Sequence, residues 1–550
     1  MASKRRKMFY QNKKQETTEI ALGDWWQITE AASERRNTQD DNGELVVLWN
    51  SFSCRMGSFD DDWMEIILKK DEHGKRIAKV RNSKVEDAHC KGESYGSEMA
   101  RITMEAVLKS GKKTKRSVIV KRLPSCKARA EHLKKFYLFE REIKIYRDVL
   151  PLMEDLIGES EDPIEPMWGH CLHYNPFDCL VLEDLKKGGY RLADRREGLD
   201  LPHASLVIKS MARFHALTAV LLENGMIDTS DYTGNVFTSE PKMFQQLHNS
   251  GFEALADVID KTWGPECVNE LPVTWRGISG VWRELGMRLH QSQATGGNPR
   301  SGVKREQKCM VKSSVLCMRD GQACVHEEAD ENKLRDGRGS TIAGREQRVR
   351  PRGSGRNHCA NKLRSLKDKS VSRLFDILSC DGSKFKVLCH GDAWVSNIMF
   401  RYLPESEVPI FVKFLDYQLT HLNSVAYDLQ YFLTSSLDVD TRAFADDLVV
   451  TYWETLTSSL ARYGYRSGDA PTLDHVRSEM LRMSFFRVIV VSCHLPYMMS
   501  DPENIPDMDE VIEDYKKTDN INMDTRSYSG GEFVKAARIV LQSCMDDKTI

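Results

Sequence analysis

The sequence predicts an α+β protein of two lobes, a small β-rich one followed by a large, mainly helical one. Three observations predict it. A strand-like stretch runs from about 80 to 123, with turn signals at Gly92, Gly96 and Gly111 and a compact β-branched run, SVIVK, at 117–121. A helical stripe follows at once, with Leu133, Phe136, Phe139, Ile143, Tyr146 and Leu150 spaced by threes and fours. From Pro202 onward the pattern is mainly helical, and 550 residues are too many for one ordinary core.

Residues 1–75 read as an N-terminal extension, partly irregular and punctuated by Trp25, Trp26 and Trp63. Residues 76–185 form the small lobe and its hinge. Pro151 helps end the first long helix. A short apolar run, CLVL at 179–182, leads into Glu183, Asp184 and Leu185, and Gly188-Gly189 then breaks the chain. The boundary between the lobes falls there, so the helical lobe spans 186–550. A stretch at about 295–361 interrupts it. Its run RDGRGSTIAGREQRVRPRGSGRNH at 335–358 is basic, Gly-rich and nearly free of aliphatic residues, a composition that cannot order itself alone. It is either a disordered insertion or sequence foreign to the native product, such as translated intron. Its scattered Cys and His residues match no common zinc spacing. Regular structure resumes at Leu363. A strand, FKVLC at 385–389, ends at His390. Two more, at 397–400 and 410–415, are joined through Pro404. Asp428 opens a helical segment at 429–433, where free N–H groups need an acceptor.

Composition narrows the function. The formal net charge of −2 argues against a nucleic-acid binder, which would carry a basic footprint. No apolar run looks long enough to cross a bilayer; the best, at 488–493, reads as core. The N-terminal region lacks the apolar centre of a secretion signal. Its basic cluster at 4–7 reads as a solvated terminus, with a nuclear signal as the alternative. The fourteen cysteines are scattered without a CxxC pair. A cytoplasmic protein without an obligate protein partner is the expectation.

Chemistry concentrates at HGDAWVSN, 390–397. Asp392 and Asn397 stand with four residues between them on a loop leaving a strand. Phosphoryl transfer needs a carboxylate to accept a hydroxyl proton and an oxygen ligand to hold magnesium on the phosphates. The protein-kinase catalytic loop, H-R-D-x-x-x-x-N, has the same spacing, with Gly391 here in place of its arginine. Asp416, ending an apolar strand, supplies a second hard oxygen ligand for Mg2+. Either acid alone also reads as a turn residue; the order of both on alternating strands and loops is hard to obtain by chance. Lys121, ending the SVIV strand, can reach nucleotide phosphates. Glu142 points near the packed helix face, where a charge needs a partner, and Glu140 is its rival. Gly92, Gly96 and Ser97 could lay backbone N–H groups over phosphates, a weak signal alone. The nearby SGKKT at 110–114 lacks the earlier glycine of a Walker A loop. Little chain separates Asp416 from Asp428, and no A-P-E follows, which leaves no room for a peptide platform. The acceptor is therefore expected to be a compact hydroxylated small molecule.

These residues resemble the ecdysteroid kinase-like family, a branch of the choline kinase and aminoglycoside phosphotransferase group. The matching stretches are VIVKRLP, FEREIKIY, LVLEDLKKGGY, ARFHA, VLCHGDAWVSNIMF and FLDYQ…AYDLQYFL, over roughly 80–500 apart from the insertion. The resemblance implies a bilobal protein-kinase-like fold that uses ATP and Mg2+. It implies that Asp392 is the base, that Asn397 and Asp416 are magnesium ligands, and that Lys121 binds phosphate and is oriented by Glu142. Glu183, Asp184 and Leu185 would form the hinge beside adenine, while His390 and Asp428 support the catalytic loop. Family substrates include ecdysteroid hormones, and detoxification of other hydroxylated molecules has been suggested. Tyr417, where Phe is usual, and Ser396, where Asn is frequent, are mild departures. The alternatives are a lipophile-binding protein without catalysis and a choline- or sugar-type kinase.

Overall fold

The computed structural model describes residues 59–70, 76–88, 97–175, 179–233, 240–263, 309–311, 314–319, 322–326, 357–379, 382–466 and 470–550. Trp25, Trp26, the basic cluster at 4–7, Gly92 and Gly96 lie outside them. By its internal contacts the chain divides into two units, Met1–Glu270 with Arg356–Ile550, and Leu271–Gly355.

In the larger unit, helix α1 (Asp61–Lys70) covers a five-stranded antiparallel sheet of order β1-β2-β3-β5-β4. The strands are β1 (Ile77–Asp87), β2 (Glu98–Leu108), β3 (Lys113–Arg122), β4 (Cys171–Asn175) and β5 (Cys179–Glu183). Alternate residues of β2, Ala100, Ile102, Met104 and Ala106, are buried. Ile102, Met104 and Ala106 meet Met64 and Ile67 of α1 in a small core of their own. Each fully buried Ile or Met contributes roughly 1.5–3 kcal/mol. The tight turn between β2 and β3 closes with Leu108 accepting from Gly111 N–H at 2.8 Å, and Gly111 supplies φ +82°. SGKKT lies across this hairpin, so it is a turn between strands.

The helical stripe after β3 is not one helix. It divides into α2 (Lys127–Lys135) and α3 (Leu138–Lys144), which runs through a wide π turn at Ile145–Val149 into α4 (Leu150–Glu159). Tyr137 breaks it with a left-handed φ of 54°, its ring 63% exposed. Nor does Pro151 end the helix. It sits in the first turn of α4, where its missing N–H costs least, and the helix continues to Glu159.

After a short strand, β6 (Arg191–Leu192), the helical lobe opens with α5 (Leu201–Glu223). Asp200 caps α5 by accepting from His203 N–H at 3.0 Å, and Gly225 ends it at φ +64°. By length and composition α5 could cross a membrane, which corrects the expectation that no segment is that long and apolar. Its apolar window is 72% buried, and α5 forms the centre of the lobe's core with Met211, Phe214 and Leu217. Helix α6 (Pro241–Val258) follows.

The smaller unit contains an antiparallel meander, β7 (Cys309–Val311), β8 (Ser314–Arg319) and β9 (Gln322–His326). The composition of 295–361 predicts no strands. Within it, however, Val311, Val315 and Val325 flank an Asp320-Gly321 turn signal, a local hairpin pattern that the basic run masks. The expected end of the stretch at 361 is also too late. Helix α7 (His358–Leu366) starts earlier, capped by Asn357 accepting from Cys359 N–H at 3.0 Å.

Helix α8 (Ser370–Leu378) leads to β10 (Val387–Cys389). The hairpin of β11 (Ile398–Tyr402) and β12 (Pro409–Phe414) is joined on one edge by β6, and β13 (His421–Asn423) pairs with β10. The remaining helices are α9 (Ala426–Ser435), α10 (Ala445–Arg462), α11 (Leu473–Arg482), α12 (Phe485–Ile489), α13 (Leu495–Met498), α14 (Met508–Thr518) and α15 (Gly531–Asp546). The larger unit thus combines a β-rich N-terminal part with a mainly helical C-terminal part, an α+β architecture.

Candidate active site

The loop between β10 and β11 carries Asp392 and Asn397. Asn397 Nδ2 donates to the Asp392 carboxylate at 2.8 Å and to its backbone carbonyl at 3.0 Å. The amide nitrogen is thereby engaged, which leaves Asn397 Oδ1 to accept or to ligate. The second Asp392 oxygen accepts from Tyr431 OH at 2.7 Å. Burial pushes the Asp392 carboxyl up to about 8; the Asp416 charge adds to the rise, and the Tyr431 and Asn397 hydrogen bonds oppose it.

Two features of this loop depend on backbone shape. Asp428, on α9, accepts from His390 N–H at 2.6 Å and Gly391 N–H at 2.9 Å. It does so while held by His215 Nε2 at 3.0 Å, and His215 Nδ1 in turn meets Tyr452 OH at 2.6 Å. Burial opposes the charge, yet the His215 hydrogen bond and the surrounding partners hold Asp428 below the usual carboxylate range. Asp428 therefore ties its helix to a neighbouring loop rather than capping that helix. Gly391 adopts φ +87°, and a Cβ there would lie 2.1 Å from the Leu419 carbonyl oxygen. Gly391→Ala is expected to displace the loop. It should lower the melting temperature by the equivalent of roughly 1–3 kcal/mol and reduce any turnover that depends on Asp392. Thermal melts and activity assays check this; a variant with wild-type stability and turnover would contradict it.

Asp416 follows β12 with φ 66° and ψ 75°, a left-handed conformation that costs a non-glycine residue energy. Leu415 N–H donates to the Asn397 carbonyl at 2.9 Å, linking the two loops. Asp416 Oδ1 accepts from Lys121 Nζ at 2.9 Å across 295 residues. Lys121 Nζ also lies 2.6 Å from Glu142 Oε2, on α3. Glu142 is 1% exposed, so it and not Glu140 is the partner. Burial opposes the Lys121 charge, but Asp416 and Glu142 outweigh it and raise its pKa. Glu142 is pushed up to about 7 by burial, with Lys121 opposing and Asp416 adding. Two carboxylates share one ammonium, so the cluster is short of positive charge. Tyr417 packs the junction, its ring 4.8 Å from His390, 5.7 Å from Tyr146 and 5.9 Å from Phe214.

At the hinge, the Asp184 carboxylate turns toward the sheet, accepting from Arg101 Nε at 2.8 Å and Ser117 Oγ at 2.5 Å. Glu183 accepts from His170 N–H at 3.2 Å. Leu185 is buried with Tyr190 and Met399 in a small apolar cluster beside β11. Ser97 is buried just before β2.

A cavity of about 700 Å³ opens on the other side of Asp392. Its lining combines Asp392, Trp394 and Tyr431 with apolar residues such as Met243, Leu247 and Ile512. Burial holds the lining His494 down at about 4, so it is neutral at physiological pH. The sequence reading missed Tyr431, Trp394 and this cavity. The one available signal was that Tyr431 stands three residues after Asp428 on a helix, and so shares its face.

The donor set has the chemistry that a hard divalent cation such as Mg2+ takes. Asp416 and Asn397 Oδ1 are hard oxygen donors next to an excess of negative charge. A model of the ecdysteroid kinase-like family matches residues 91–279 and 338–465, more than half of the chain. No curated protein matches it. Among solved structures, an ethanolamine kinase from Plasmodium vivax is 10% identical, covering 85% of this chain and 84% of that one, with a TM-score of 0.29. A macrolide 2′-phosphotransferase from Brachybacterium faecium is 11% identical, covering 78% and 93%, with a TM-score of 0.23. At that distance neither structure bears on what this chain acts on.

Proposed function

The chain belongs to the ecdysteroid kinase-like family, and on that premise we propose that it is a cytoplasmic enzyme transferring the γ-phosphoryl group of ATP to a hydroxyl of a small lipophilic molecule, an ecdysteroid-like hormone or a xenobiotic. The observation that carries this reading is that Asp392 lines the apolar cavity while hydrogen-bonded to Asn397, whose backbone carbonyl accepts from Leu415 N–H, next to the Lys121-paired Asp416.

In this reading Asp392 accepts the proton of the acceptor hydroxyl as that oxygen attacks the γ-phosphorus, and the bond to the ADP oxygen breaks. Lys121 binds the nucleotide phosphates and Glu142 orients it. Asn397 Oδ1 and Asp416 would hold magnesium, which would supply neutralising charge to the transferring group. Leu185 and Met399 offer an apolar surface for adenine, with hinge backbone groups as its hydrogen-bond partners. Ser97, just before β2, is assigned to the phosphates. Asp428, with His390, holds the loop that presents Asp392.

A lipophilic acceptor is supported by the apolar lining side chains, Leu133, Met243, Leu247, Met498 and Ile512, together with the aromatic faces of Trp394 and Tyr431. Besides Asp392 the lining acids are Glu131 and Glu240, and Glu240 is paired with Lys135. The cavity volume lies within the range of roughly 300–1,000 Å³ of small-molecule sites. Leu247→Trp, which fills part of it, is expected to raise KM for a lipophilic acceptor at least about tenfold by removing apolar contact. Nucleotide affinity should stay unchanged. Steady-state kinetics with both substrates check this; an unchanged acceptor KM would place the acceptor elsewhere.

A further inference from the structure

We propose that Tyr431 is a positioning residue for the phosphoryl-transfer step, its hydroxyl fixing the orientation of the Asp392 carboxylate toward the acceptor cavity. The inference rests on the reading of Asp392 as the base and assigns a function to a residue outside the Asp392, Asn397 and Asp416 set.

A lone aspartate can rotate about two side-chain bonds, and a base must aim a lone pair at the proton it takes. Here both rotations are stopped. Asn397 Nδ2 holds one oxygen at 2.8 Å, and Tyr431 OH holds the other at 2.7 Å. Each carboxylate oxygen accepts more than one hydrogen bond, so a lone pair remains for an acceptor hydroxyl. The Tyr431 ring is itself held. It is 5% exposed, stacked on Phe486 at 5.9 Å and met edge-on by His494 at 6.1 Å.

The placement on α9 gives the tyrosine a second significance. Asp428 and Tyr431 are three residues apart, hence on one helix face. Asp428 grips the backbone N–H groups of His390 and Gly391, and Tyr431 grips the side chain of Asp392. One helix therefore sets both the path of the loop and the aim of the base. Tyr431 also lines the acceptor cavity, so the acceptor rests against the same ring that orients its base.

The test uses the full-length chain with Mg·ATP and water as the acceptor, so that no unidentified acceptor is needed. ADP release at saturating nucleotide gives kcat, and a fluorescent ATP analogue gives affinity. Tyr431→Phe removes the hydroxyl and keeps the ring. It is expected to lower kcat at least about tenfold, as for loss of a hydrogen bond to a charged group, with nucleotide affinity within about twofold. A merely structural role would change stability but leave kcat per bound nucleotide in place. Wild-type kcat in Tyr431→Phe beside an inactive Asp392→Asn overturns the Tyr431 assignment alone. Wild-type kcat in Asp392→Asn overturns the base reading, and the inference with it. Should Tyr431→Phe not fold, Phe486→Leu frees the ring while keeping the hydroxyl. A slowed kcat at unchanged affinity is then the expected result, and an unslowed one overturns the assignment.

Discussion

Replacing Asp392 with asparagine is expected to lower phosphoryl transfer by about 10²–10⁴-fold, the usual contribution of a positioned general base. The substitution keeps size: the new amide oxygen can accept from Asn397 Nδ2 while its nitrogen donates to the Tyr431 hydroxyl oxygen. It removes the group that takes the acceptor proton. Because burial and Asp416 already push the Asp392 carboxyl up to about 8, the neutral amide should not weaken the fold. Below that pH it exchanges a carboxyl group that burial already keeps protonated for an amide that is neutral at every pH. The expected profile is therefore unusual for a buried polar site: a melting temperature equal to or above wild type, nucleotide affinity retained and transfer lost. Differential scanning calorimetry, nucleotide titration and labelled-phosphate transfer give the three values. Retained transfer would mean that another group takes the proton.

Lys121→Met is expected to act on stability and chemistry together. The ammonium lies between Glu142 at 2.6 Å and Asp416 at 2.9 Å; it and Glu142 are buried, while Asp416 is partly exposed. Without it two carboxylates face each other with no counter-charge. Breaking a buried pair in this way costs about 3–5 kcal/mol. Transfer should fall below detection, since the nucleotide phosphates lose their lysine. The double variant Lys121→Met with Glu142→Gln separates the two effects. Removing the stranded carboxylate should restore part of the melting temperature and none of the transfer. A double variant no more stable than the single one would show that the ion pair is not what holds this junction.

The pairing of Asp392 with Asn397 was legible because it is local. HGDAWVSN states an acid and an amide at fixed spacing, and their hydrogen bond needs only one loop to form. Helical spacing pointed residue 142 near the packed face but kept Glu140 as its rival, and the burial of Glu142 against Lys121 decides between them. Other features had no local signal. Tyr137 takes a left-handed φ that a tyrosine does not advertise, so one stripe became two helices. The π turn before Leu150 let Pro151 begin a helical turn rather than end one. The β7–β9 hairpins were hidden by the basic, Gly-rich composition that follows them. The cavity is assembled from residues between Arg129 and Met523, and no spacing along the chain brings those together. Asp184 belongs to the same class, because its partners Arg101 and Ser117 come from two other strands.

The most direct test of the central claim is product mass after incubating the full-length chain with γ-labelled ATP, Mg2+ and a panel of hydroxylated steroids and plant metabolites. The expected result is a labelled acceptor heavier by one phosphoryl group, formed by wild type and not by Asp392→Asn. A chain that binds these lipophiles and ATP yet labels none of them would contradict the account and mark the cavity as a binding site without transfer.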